Sequence, residues 1–170
     1  MQQASFEESH PHLKDFMKFL DALNEESDRG AALIALAMID DLLEQAILAF
    51  LIDDRESKRL LEGFNAPLGT FSTRTLAAYS LGLISEREFN ECNKLRKVRN
   101  EFAHNVHQTF DDERVKEICA TLNFSIKDEP DNKLPPKSQY TTAAICLILN
   151  LTNRPHYVAK KRIVFEPWPY

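Results

Sequence analysis

Arg99, Asn100 and His104 are the residues best suited to chemistry. Imidazole titrates near neutrality and can pass a proton in either direction. A guanidinium grips phosphate with two parallel hydrogen bonds and stabilises charge that develops on it. An asparagine beside the arginine can orient it. Arg99 and His104 are five residues apart, about 140° around a helix, which is too wide for one narrow stripe. They can converge if His104 lies just past the last turn, or if a second copy of the segment completes the site. The competing explanation is structural: Arg99 sits in a salt bridge, and His104 ends a helix whose dipole favours a cation there.

Other constellations are thinner. His10-Pro11-His12 is a surface pair without helical metal spacing. His104 and His107 lack the third and fourth ligands that a metal site needs. Cys92, Cys119 and Cys146 are widely spaced, with no C-x2-C pair. They read as reduced thiols of a cytoplasmic protein. Phosphate-cradling glycine loops and the G-x-S-x-G elbow are absent. Neither metal nor cofactor is expected.

The elements that must position these residues are helices. With 170 residues, 44% hydrophobic and only four Gly, the chain can bury one core, and its apolar residues recur at helical spacing. Leu13, Phe16, Met17, Leu20 and Leu23 mark a first helix behind Pro11. A second, from about Arg29 to Leu51 with Asp28 as its cap, is apolar almost all round and must be central. Ala35 and Ala37 on it would admit a close neighbour. Asp40, Asp41 and Glu44 interrupt it, which argues against a membrane span. They form either a solvated strip or an inward group in which one carboxylate holds Arg74 or Arg99.

A short helix over 56–64 is followed by a turn at Pro67-Leu68-Gly69. Ser72 or Thr73 then caps a helix that Gly82 stops. Ser85-Glu86-Arg87-Glu88 is a capping box. It starts a fifth helix that runs to about His104, with Phe89, Cys92, Leu95, Val98 or Arg99, and Phe102 inward. Asp111-Asp112-Glu113 opens another helix. A Pro-rich loop spans 128–138, and a buried helix capped by Thr141 or Thr142 runs to Leu151. The tail over 152–170 reads as extended and is basic, then aromatic. The expectation is a single all-α domain over 1–170, a bundle of six or seven helices with its core over about 11–151.

Two resemblances attach to these residues. Arg99-Asn100-x-x-Ala103-His104 resembles the Arg-x4-His motif of the HEPN superfamily. That implies metal-independent RNA cleavage, with His104 as acid or base, Arg99 stabilising the phosphoryl charge, Asn100 orienting it, and two protomers pairing over one cleft. The segment from about 30 to 122 is similar to the mannitol-operon repressor (MltR-like) family of small all-helical bacterial regulators. The matching features are Arg29-Gly30-Ala31-Ala32, Pro67-Leu68-Gly69-Thr70-Phe71-Ser72 with Arg74, Gly82-Leu83-Ile84, and the Arg99–His104 segment.

The net charge of −5 argues against broad binding to a phosphate backbone. Lys94, Arg96, Lys97 and Arg99 share a helix with the inward Phe89–Phe102 face, so no direct DNA contact is expected. The expected function is a non-catalytic binding protein, either an MltR-like regulator acting on a protein such as a transcription factor, or a neutralising immunity or antitoxin partner of a basic nuclease toxin. The second version would use the acidic clusters Glu7-Glu8, Asp53-Asp54 and Asp111-Asp112. A HEPN-type ribonuclease is the alternative, and a homodimer is compatible with either.

Overall fold

A helix that is apolar on nearly every side can be stable only where other helices cover it. In the computed structural model, which describes residues 14–125 and 134–169, that helix is α2, Asp28–Phe50. Around it lie α1 (Lys14–Glu25), α3 (Arg55–Leu61), α4 (Phe71–Ser80), α5 (Glu86–His104), α6 (Glu113–Ala120), α7 (Pro136–Thr152) and α8 (Arg154–Ala159). α2 packs against α1, α3, α4, α5, α7 and α8, while α6 closes the bundle against α5 and α7. The described residues contain no strand. The chain is an all-α bundle. Asn153 alone separates α7 from α8, so the described residues form seven or eight helices according to whether that break is honoured.

Small residues set the spacing at the centre. Ala31, Ala32 and Ala35 are fully buried on α2, as are Ala143 and Ala144 on α7. This brings backbones close enough for the buried Tyr140 hydroxyl to donate to the Ala32 carbonyl at 2.9 Å. Ala37 is exposed. Ala35→Leu should therefore overpack the α2 contacts and cost about 1–3 kcal/mol, whereas Ala37→Leu should melt like the parent. Unchanged thermal stability for both would remove α2 from the centre.

Helix starts differ from the sequence expectation in three places. Ser27, not Asp28, caps α2, accepting from the Gly30 amide at 3.0 Å. Asp28 instead accepts from the Phe110 amide at 3.2 Å and pairs with Lys137 at 3.1 Å, tying the α5–α6 loop and α7 to the start of α2. α4 is capped by Thr70 in reciprocal bonds with Thr73, two residues before Ser72, which lies inside the helix. α7 begins at Pro136, so the Pro-rich loop is shorter than 128–138 on its C-terminal side. Proline at a first helical position costs no hydrogen bond. Thr141 lies inside that helix and bonds back to the Lys137 carbonyl.

The capping box is present: the Ser85 amide donates to Glu88 Oε2 at 2.7 Å and the Glu88 amide to Ser85 Oγ at 3.3 Å. Gly82, at φ 70°, turns the chain out of α4. The tail is not extended throughout, because Arg154–Ala159 is helical. Glu7, Glu8, His10, Pro11, His12 and Leu13, with residues 126–133, lie outside the described residues.

Candidate functional site

α5 carries Arg99, Asn100 and His104 to its last turns. Arg99 is half-buried, and its Nη1 donates to Asn100 Oδ1 at 3.2 Å. Its charge is felt at the buried Tyr140 hydroxyl. Burial raises the pKa of that hydroxyl, Cys119 adds to the rise, and Arg99 opposes it. His104 is exposed at the helix end, where the Asn105 amide closes the last turn on the Glu101 carbonyl. No hydrogen bond joins Arg99 to His104 in the described structure. His107 is exposed, its amide donating to Asn105 Oδ1. Among the described residues no group of three or more His, Cys, Asp or Glu is arranged to hold a metal ion.

The carboxylates of α2 belong to Arg74. Its Nη1 lies 2.9 Å from Asp40 and its Nη2 2.6 Å from Glu44, and Nη2 also donates to the Leu61 carbonyl at 3.0 Å. One side chain from α4 thus ties α2 and α3 together. Arg99 holds neither carboxylate. Asp41 points outward and accepts from Gln45 Nε2 at 2.6 Å. Burial raises the Glu44 pKa; Arg74 pulls it down, while Glu62, Asp40 and Asp41 push it further up.

Three of the four described acids in the clusters are engaged locally. Asp53 pairs with Arg162 at 3.0 Å. Asp54 caps α3 through the Ser57 amide at 2.8 Å, a bond that lowers its pKa. Asp112 accepts from the Thr109 amide at 2.7 Å. Asp111 is exposed without a local bond. Of the basic residues on α5, Lys94 donates to the Thr121 carbonyl and Arg96 to Asn93 Oδ1.

Two carboxylates are buried where the sequence reading gives only a capping role to Glu88 and none to Glu91. Glu88, 5% exposed, accepts from Arg154 Nη2 at 2.7 Å in addition to its capping bonds. Arg154 also donates to the Leu83 carbonyl at 2.6 Å. Glu91, fully buried, accepts from the amides of Asn123 and Phe124, both at 2.9 Å. The readable sign was spacing: 88, 91, 95, 98 and 102 form one inward stripe, and a charge on it needs a partner. A cavity of about 570 Å³ opens beside Glu88, lined by Arg87, Phe124, Asn150 and Arg154. There the Arg87 guanidinium lies 4.4 Å over the Phe124 ring.

A second cavity, about 730 Å³, lies between the α3–α4 connection and the tail. Gly63 at φ 103° and Asn65 at φ 61° flank Phe64 and throw it outward, 98% exposed. The tail is pinned opposite. Arg162 Nε donates to the Ala49 carbonyl at 3.2 Å, and the Ile163 amide donates to the Phe50 carbonyl at 2.9 Å. These bonds satisfy carbonyls at the C-terminal end of α2 and set Phe165 on the cavity wall.

No helix among the described residues is long and apolar enough to cross a membrane. No protein-family model matches the chain, and the curated proteins include none similar to it. Among solved structures, the chain is similar to a chain of the X-ray structure of the MtlR-HPr complex from Escherichia coli. The TM-score is 0.53 at 23% identity, covering 84% of this chain and 97% of that one. At that identity the likeness establishes the fold. The HEPN resemblance and the nuclease-toxin partner receive no support from it.

Proposed function

We propose that this chain is a non-catalytic regulator of the MltR-like type that acts by binding another protein. The observation that carries this is the likeness of fold to a chain of a two-protein complex, extending over 84% of this chain. Two features of the site support it. Arg99 spends a hydrogen bond on its neighbour Asn100, and His104 stands apart from it at the helix end. The regulator version is preferred to the neutralising one because Asp53, Asp54 and Asp112 are engaged within the chain.

The test pairs two measurements on the purified protein. Calorimetric titration with purified HPr should give saturable binding. Total RNA incubated with the protein and a chelator should remain uncut. The His104→Ala variant should melt within about 0.5 kcal/mol of the parent, as exposed positions usually do. RNA cleavage that disappears only in the His104 variant would replace this reading with the nuclease. Absence of HPr binding would remove HPr as the partner.

A further inference from the structure

The outward half of α5 reverses the sign of the chain. The 26 acids of the whole sequence outnumber its 21 bases, but the carboxylates of this helix are hidden or spent. Glu88 and Glu91 are buried, and Glu101 pairs with Arg114 of α6 at 2.9 Å. Glu86, in the first turn, is the exposed exception. Arg87, Lys94, Arg96 and Lys97 remain, and none of the four pairs with a carboxylate among the described residues. Three are held by neutral groups. Arg87 donates to the Asn123 carbonyl at 3.0 Å with its guanidinium over Phe124, Lys94 to the Thr121 carbonyl, and Arg96 to Asn93 Oδ1. These bonds fix the charges in place without cancelling them. Lys97 is exposed and makes no bond among the described residues.

The cations are regularly spaced. Seven residues make nearly two turns, about 10.5 Å along the axis. Arg87 and Lys94 therefore lie on one line of α5, Asn90 and Lys97 on the next, Asn93 and Asn100 on a third, and Phe89 and Arg96 on a fourth. α4 borders the fourth line, where Tyr79 stacks on Phe89 at 4.6 Å, and contributes no carboxylate. Leu76 lies about 60° from Tyr79 around α4, and about 160° from Arg74, which turns to α2. Leu76 and Tyr79, 56% and 39% exposed, thus form an apolar edge beside the cationic lines. α6, on the other border, carries two acids and two bases. Asp111 and Asp112 precede it, at the end of α5 away from Arg87.

We propose that this face docks an acidic helical segment of another protein, lying along α5 with carboxylates two turns apart against Arg87, Lys94, Arg96 and Lys97, and with an apolar side chain over Leu76 and Tyr79. Opposite charge steers such a segment to the face and sets its register. The asparagines between the cations supply both donors and acceptors. A phosphate backbone fits less well, because it calls for a larger surplus of cations and leaves the apolar edge uncovered. The proposal rests on the reading that the chain acts through protein contact. The HPr titration is a separate measurement, so failure of either leaves the other standing.

The full chain is titrated into a dye-labelled synthetic helical peptide that carries Glu along one face and Leu along its edge, and binding is followed by fluorescence anisotropy. Parallel arms use the same peptide with Lys for Glu, a labelled single-stranded RNA, and light scattering of the protein alone on dilution. The expected result is saturable binding of the Glu peptide only, weakened by added salt. Lys97→Glu should weaken it about fivefold or more, and Leu76→Ala should weaken it as well. Lys58→Glu, an equal change of charge on α3, should bind as the parent does. Lys58, Leu76 and Lys97 are all exposed, and melts of the three variants should match the parent. Equal binding of the Lys peptide, no binding of the Glu peptide, preference for the RNA, self-association that Lys97→Glu abolishes, or equal losses from Lys58→Glu and Lys97→Glu would each overturn the proposal.

Discussion

Arg154→Ala should destabilise the bundle by about 3 kcal/mol at neutral pH, because it leaves a buried carboxylate without its cation. Glu88 is 5% exposed, whereas the Arg154 side chain is 26% exposed, which keeps the effect at the low end for such pairs. For a domain of this size the loss corresponds to a fall in Tm of roughly 6–12 °C. The pH dependence is distinctive. Burial pushes the Glu88 pKa up, but the Ser85 amide and Arg154 outweigh it and hold the carboxyl below its ordinary 4.5. The folded protein therefore binds this proton less readily than the unfolded chain does. The stability Glu88 contributes is present above about pH 4.5 and is lost as pH falls through the lowered folded value. Removing Arg154 takes away part of that downward pull, so the variant should lose less stability than the parent on acidification. Urea unfolding at neutral and acid pH checks both points, and parallel acid profiles for the two proteins would contradict the assignment.

Arg74→Ala should be the second severe change, costing about 2–4 kcal/mol, since it strands Asp40 and Glu44 together and frees the Leu61 carbonyl. Both carboxylates retain some solvent, at 30% and 21% side-chain exposure, which limits the cost. Arg99→Ala should cost about 1 kcal/mol, because its recorded bond is to the adjacent Asn100. In the parent the linkage of Glu44 is opposite to that of Glu88, although the deficit of either arginine variant shrinks in acid. Glu44 is raised by burial, so the stability linked to its proton is complete below 4.5 and is lost as pH rises through the raised folded value. With Arg74 gone the pKa climbs further, and the deficit of the variant should shrink in acid. Thermal melts of the two arginine variants over a pH series decide the ranking; a larger loss for Arg99→Ala would reverse it.

The legible part of the fold is the part written in local periodicity. α2 declares itself by apolar residues on nearly every side, and α5 by its Ser85–Glu88 box and the inward run Cys92, Leu95, Val98 and Phe102. Caps were less legible wherever two hydroxyl or carboxyl residues stood within one turn, as with Ser27 beside Asp28 or Thr70 before Ser72. Only backbone geometry chooses between such neighbours.

The polar interior was harder still. Arg74 and Arg99 were equal candidates for the α2 carboxylates, and the decision depended on how α4 lies across α2. The partners of Glu91 and Glu88 are 32 and 66 residues away along the chain, beyond the reach of any spacing rule. Phe64 looked like the end of a short helix. Gly63 and Asn65, both with positive φ, instead make it a projection.

The interior placement of two cysteines gives the bundle a clock. Cys92 on α5 and Cys119 on α6 are fully buried. Burial pushes the Cys119 thiol up to about 12 and raises that of Cys92 as well. An alkylating reagent attacks thiolates that it can reach, so in the folded chain these two sulfurs are protected twice over. Cys146, half-buried on α7, is the one open to slow labelling from the native state. Modification of the other two waits for α5 and α6 to part, and its rate counts how often they do.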